Sequence, residues 1–71
     1  MKINYIDFFS RVIPEWMARS NQKSHEVGFG TDAYWLWVVS SISEICKQYN
    51  DDELVMEQFG LLFNWLEKQA G

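Results

Sequence analysis

The residues best suited to nucleophilic chemistry are the one histidine and the one cysteine of the chain, His25 and Cys46. A thiolate beside an imidazole base is a familiar nucleophilic pair. Cys46, however, falls among apolar residues at helical spacing, where a cysteine is normally buried and inert. One histidine and one cysteine are also too few for a zinc site, which uses three or four ligands. We therefore expect no catalytic residue, no metal, no cofactor and no enzymatic activity.

Two further motifs have simple structural interpretations. The GFG segment at residues 28–30 precedes a predicted helix, and helix N-termini bind phosphate. Asp32 would repel a phosphate there, and the full spacing of a phosphate-binding loop is missing. The acidic group at residues 51–57 lacks the alternating ligands and the glycine of a calcium loop. The glycines are interpreted as a flexible approach to a helix, and the acids as helix caps.

Three segments carry apolar residues at the three-and-four spacing of a helix face. They cover residues 3–20, about 32–49 with Thr31 as the N-cap, and a third segment that follows a cap at one of residues 50–52 and runs to about Gln69. On the first, the predicted face is Tyr5, Phe9, Val12, Ile13 and Trp16, and it is widened by Ile6, Phe8 and Met17. A strand over residues 36–42 is the competing interpretation, because β-branched and aromatic residues favour strands. The helical period along 34, 38, 42, 45 and 49 argues against it.

Three features of the sequence bear on where these helices begin and end. Pro14 lacks the amide that would bond back to Ser10, so the first helix either kinks there or splits in two. Residues 20–31 are polar, contain glycine and have no period, which predicts a loop of about ten residues. Asn50 and Glu53 have the spacing of a capping box, with residues 51 and 52 as alternative caps. The prediction is an all-α fold in one domain, residues 1–71: a small three-helix bundle, or four helices if Pro14 splits the first.

More aromatic residues are present than one small core needs. The predicted core face of the second helix is Tyr34, Trp35, Val38, Val39, Ile42, Ile45, Cys46 and Tyr49, which leaves out Leu36 and Trp37. The main face of the third helix is Val55, Met56, Phe59, Leu62, Phe63 and Leu66. A second stripe, Leu54, Leu61 and Trp65, lies about 100° away. Gly60 is on neither stripe and would let another chain approach closely.

This surplus predicts a protein-binding surface, because tryptophan is enriched where proteins bind each other. Its candidate residues are Trp37, Leu54, Leu61 and Trp65. The alternative is that the N-terminal segment or the predicted loop covers these side chains.

Composition and processing signals indicate the compartment. With 48% hydrophobic and 17% aromatic residues, the chain is too apolar for intrinsic disorder. A single cysteine cannot form an internal disulfide, which fits a reducing environment. Asp7 interrupts any signal-peptide core, and the longest apolar run, residues 33–39, is too short to span a membrane. We expect a soluble cytoplasmic protein without a membrane partner.

The functional expectation is a small acidic helical protein-binding module of the inhibitor, immunity or modulator type, which presents an aromatic surface. The alternative is a self-associating structural protein, a homodimer, without catalytic activity.

Charge leads to the first testable prediction, which is that the chain does not bind nucleic acid. Ten acidic residues against six basic ones give a net charge of −4. Affinity for phosphate depends on Lys and Arg displacing counterions, so we expect no useful binding to duplex DNA or RNA at physiological salt. A fluorescence anisotropy titration with a labelled mixed-sequence duplex should stay flat. Micromolar affinity that weakens steeply with added salt would contradict the prediction.

Overall fold

The computed structural model describes residues 2–71, which form three helices and no β-strand. Helix α1 covers residues 5–27, α2 is Asp32–Gln48 and α3 is Glu53–Ala70. The first turn of α1 lies beside the first turn of α3, where the Tyr5 hydroxyl donates to the Asp52 carboxylate at 3.0 Å. Helices α1 and α3 are therefore parallel, with α2 antiparallel to both. The predicted all-α bundle is confirmed.

Helix α1 continues through Pro14 because its backbone widens just before it. Residues Tyr5–Asp7 are α-helical, Phe8–Val12 form a π-helical turn, and Ile13–Val27 are α-helical again. Within the wide turn, the amide of Ile13 donates to the carbonyl of Phe8, five residues back. In a regular α-helix the proline ring would meet the carbonyl of the residue four positions earlier, and a π turn makes room for it. The chain therefore has three helices, not four.

The π turn also decides which side of α1 faces the core. A spacing of five residues returns to the same side of a π turn, so Phe8 and Ile13 share a face with Trp16. All three are buried. The prediction that Tyr5 and Phe9 lie on the core face was wrong, since they are 38% and 40% exposed.

The predicted loop at residues 20–31 was also wrong, because α1 continues to Val27. Two anchors hold its polar last turns: Ser20 is buried and hydrogen-bonded to Tyr34, and Val27 packs on the core. The other side chains are exposed or, at Lys23 and Ser24, half-buried, and none of them is apolar, so the segment shows no apolar period. The helix ends at Gly28, whose φ of 92° suits glycine. Thr31 then caps α2 as predicted, accepting from the amide of Tyr34 at 3.3 Å.

The turn between α2 and α3 differs from the predicted capping box. Asp52 is the N-cap of α3, and its carboxylate accepts from the amide of Val55 at 3.3 Å. Asn50 cannot be the cap, because it and Asp51 form the turn with a left-handed φ of 55° each. Asn and Asp tolerate this region better than other non-glycine residues. Of the predicted caps, the alternative at residue 52 is confirmed.

Aromatic side chains from all three helices meet in the core. Phe59 of α3 lies edge-on to Phe8 at 5.8 Å and to Trp16 at 5.6 Å, between ring centroids. The buried apolar residues are Phe8, Ile13, Trp16, Tyr34, Val38, Ile45, Cys46, Val55, Phe59 and Leu66. On α2 and α3, two residues of the predicted core faces lie outside it: Val39 is 55% exposed and Met56 is 45% exposed.

Two buried hydrogen bonds join α1 to α2. The indole Nε1–H of Trp16 donates to Oγ of Ser41 at 2.9 Å, and the hydroxyls of Ser20 and Tyr34 lie 2.7 Å apart. Ser41 also donates to the carbonyl of Val38 at 3.1 Å. No buried side-chain polar atom within residues 2–71 lacks a partner. These bonds turn Ser41 toward α1, and Val39, two positions earlier, lies on the other side of α2.

The Ser20–Tyr34 pair is tested by removing one hydroxyl at a time. Tyr34→Phe is expected to lower the free energy of unfolding by about 1 to 2 kcal/mol, because it leaves a buried hydroxyl without its partner. The double variant Ser20→Ala with Tyr34→Phe should lose less than the sum of the single losses, since no buried hydroxyl is left unpaired. The stability of both single variants, Tyr34→Phe and Ser20→Ala, and of the double variant is measured by denaturant unfolding followed by circular dichroism. Additive losses would show that the two hydroxyls are not coupled.

Candidate protein-binding surfaces

Three of the predicted surface residues form an exposed apolar stripe along α3. Leu54, Leu61 and Trp65 are 42%, 64% and 51% exposed. They lie at spacings of seven and four residues, which places them on one side of the helix. Neither the N-terminal segment nor the last turns of α1 bury them. We call these three residues the α3 stripe.

The Trp65 end of the α3 stripe lies beside α1. Trp65 borders a cleft between the two helices together with Leu62 of α3 and Met17 and Asn21 of α1. Met17 is itself 43% exposed. The apolar surface therefore continues from α3 onto α1.

Trp37, the fourth predicted residue, occupies a different place. It lies between α1 and α2, where its ring stacks on Trp16 with centroids 5.5 Å apart and planes 21° from parallel. The guanidinium of Arg19 lies 5.8 Å from the centre of the Trp37 ring, at cation–π distance. Trp37 is partly buried against the core. The structure brings Leu54, Leu61 and Trp65 together and places Trp37 apart from them.

A second apolar surface, absent from the predicted site, lies in the groove between α2 and α3. Its walls include Val39, Ile42, Met56, Gly60 and Phe63. The space beside Gly60 is open, because a Cβ there would have no atom of the core or of another helix within 4 Å. We call this surface the α2/α3 groove. The sequence signal for it was Gly60, whereas Val39 and Met56 were assigned to the core.

Cys46 lies at the floor of the α2/α3 groove and is only 7% exposed. Burial raises the pKa of its thiol, and the nearby Asp51 carboxylate raises it further. The thiol is therefore protonated and shielded at neutral pH. His25 is an exposed residue near the end of α1.

A metal site would need several ligands close together. Within residues 2–71, no group of three or more His, Cys, Asp or Glu side chains is arranged to hold a metal ion. Over the same residues, no helix combines the length and apolar character that crossing a membrane requires.

No protein-family model, curated protein or solved structure significantly matches the chain. The two apolar surfaces are therefore the observations from which a function is inferred.

The state of Cys46 gives a pH-dependent prediction. A thiol whose pKa is raised carries less thiolate at neutral pH, and thiolate is the reactive form. Alkylation by iodoacetamide at neutral pH is expected to be at least about tenfold slower in the folded protein than in guanidinium. The folded-state rate should rise with pH and reach half its plateau above the ordinary thiol pKa. Mass spectrometry follows the reaction, and equal rates in both states would contradict the burial of Cys46.

Proposed function

We propose that this chain is a small acidic cytoplasmic protein-binding module, of the inhibitor, immunity or modulator type, whose contact surface is the α3 stripe. The exposure of Leu54, Leu61 and Trp65 carries this proposal. Exposed apolar residues that adjoin one another mark interaction surfaces in water-soluble proteins. Burying a leucine contributes roughly 1.5 to 3 kcal/mol. A partner that covers the stripe gains this energy, which the chain does not obtain from its own fold.

The shape of the bundle supports this role. The stripe lies on a helix of 18 residues that is fixed by buried contacts at Val55, Phe59 and Leu66. Side chains held on a rigid helix lose little conformational entropy when they bind, which favours affinity. Such a module acts by occupying the surface of another protein and needs no cofactor.

Self-association is the second candidate, because the three side chains of the stripe are uncharged and the two charged residues that border it, Glu57 and Lys68, are of opposite sign. Gln58 and Gln69 separate it from the main face of α3, and both are neutral. A twofold dimer places the same surface of each copy in contact, so charges of one sign at its centre would repel. Two copies can therefore meet at the α3 stripe although each carries a net charge of −4.

Replacing Leu61 by Ser and Trp65 by Gln tests the α3 stripe. Light scattering measures the mass of the particle and thermal melting measures stability. The matched control is Leu36→Ser on α2, which changes a leucine that is 71% exposed and outside the stripe. We expect the double variant to stay folded and the control to behave as the parent.

The outcomes separate the candidates. A dimeric parent whose double variant is a folded monomer supports self-association. A monomeric parent whose double variant is equally stable leaves the stripe free for a different protein. A monomeric parent that unfolds in the double variant, but not in the control, would overturn the proposal, because the stripe would then belong to the core.

A further inference from the structure

The charges of the chain are unevenly divided between α1 and the rest. Residues 2–27 carry three acidic and four basic side chains, a net charge of +1. Residues 28–71 carry seven acidic and two basic side chains, a net charge of −5. The α2/α3 groove lies between the two helices of the second part. Its apolar walls are therefore set in the acidic half of the molecule.

In the part of the chain that the structure describes, the acids of α2 and α3 form no ion pair. Within residues 2–71, the ion pairs with N–O distances up to 4.0 Å all lie in α1: Arg11 with Asp7 and Glu15, and Lys23 with Glu26. Arg11 and Lys23 thus pair with acids of the same helix. The negative charge around the groove is left for an external partner.

Three glutamates of α3 adjoin the wall of the groove. Glu53 precedes Met56 by three residues, and Glu67 follows Phe63 by four, so each lies one turn from a wall residue. Glu57 is adjacent to Met56 in sequence. All three are exposed. Acidic side chains therefore stand at both ends of the α3 wall. Two cations also adjoin the groove: Lys47 follows Cys46, and Lys68 follows the lining residue Asn64 by four residues, so the acids outnumber them by one.

We propose that the α2/α3 groove binds a basic amphipathic helical segment of another protein. The apolar face of that segment occupies the open space beside Gly60, where the missing side chain allows close approach. Its Lys and Arg side chains pair with Glu53, Glu57 and Glu67. A second copy of this chain is a poor occupant, because the acidic halves of two copies, each with a net charge of −5 over residues 28–71, would repel each other. The inference is independent of the proposed role of the α3 stripe.

The probes are two designed helical peptides of about 14 residues, or about 21 Å of helix. Both carry leucines along one face, and one has lysines and the other glutamates on the flanks. We expect the lysine peptide to bind and to shift the backbone NMR signals of Val39, Met56, Gly60 and Phe63. Its affinity should fall as salt rises from about 50 to about 500 mM, because screening weakens exposed charge pairs. The glutamate peptide should not bind.

Two variants locate the site. Gly60→Leu fills the open space without meeting the core, so the variant should stay folded. Its affinity for the lysine peptide should be at least about tenfold lower than that of the parent. The double variant Glu57→Gln with Glu67→Gln should reduce both the affinity and its salt dependence. Glu15→Gln is the matched control, since it removes an exposed acid from α1 and should leave binding unchanged.

The proposal is overturned if neither peptide binds, if both bind equally, or if folded Gly60→Leu binds as the parent does. A parent that is dimeric and becomes monomeric in Gly60→Leu would also overturn it, because a second copy would then be the occupant. Loss of binding in Gly60→Leu with unchanged mass supports it, whatever the outcome for the α3 stripe.

Discussion

The missing amide of Pro14 is the constraint on which the rest of the structure depends. It is accommodated by a π turn, which puts Phe8, Ile13 and Trp16 on one side of α1. Trp16 then brings a polar indole nitrogen into the core, and Ser41 of α2 satisfies it. This bond fixes the rotation of α2 about its own axis, with Ser41 facing α1. As a consequence, Val39 lies at the outer edge of the groove between α2 and α3.

The sequence predicted the later helices better than the first. Helices α2 and α3 follow a regular apolar period and begin at good caps, so their bounds were predicted within about two residues. In α1, the π turn breaks the period, and the buried series at 8, 13, 16 and 20 has one spacing of five that a regular helix would not show. The polar end of α1 is held by a hydrogen bond between distant residues, Ser20 and Tyr34, which no local pattern reveals.

The two candidate surfaces also differ in whether the spacing of residues on one helix is enough to identify them. Leu54, Leu61 and Trp65 were found because their spacing on a single helix is enough to place them off the main face. The α2/α3 groove depends on how two helices are rotated against each other, so Val39 and Met56 were assigned to the core. Gly60 was the one local signal, since a glycine inside a helix weakens it by about 1 kcal/mol without contributing contacts.

The hydrogen bond between Tyr5 and Asp52 has a consequence for how the chain folds. It spans 47 positions, whereas the two buried side-chain bonds span 25 and 14. Helices joined by short turns form most of their contacts locally, and such topologies fold in microseconds to milliseconds. Closing a longer loop costs more entropy, so we expect the first turn of α1 to meet α3 after both hairpins have formed. In kinetic terms, the beginning of the chain is then expected to be the last part to dock.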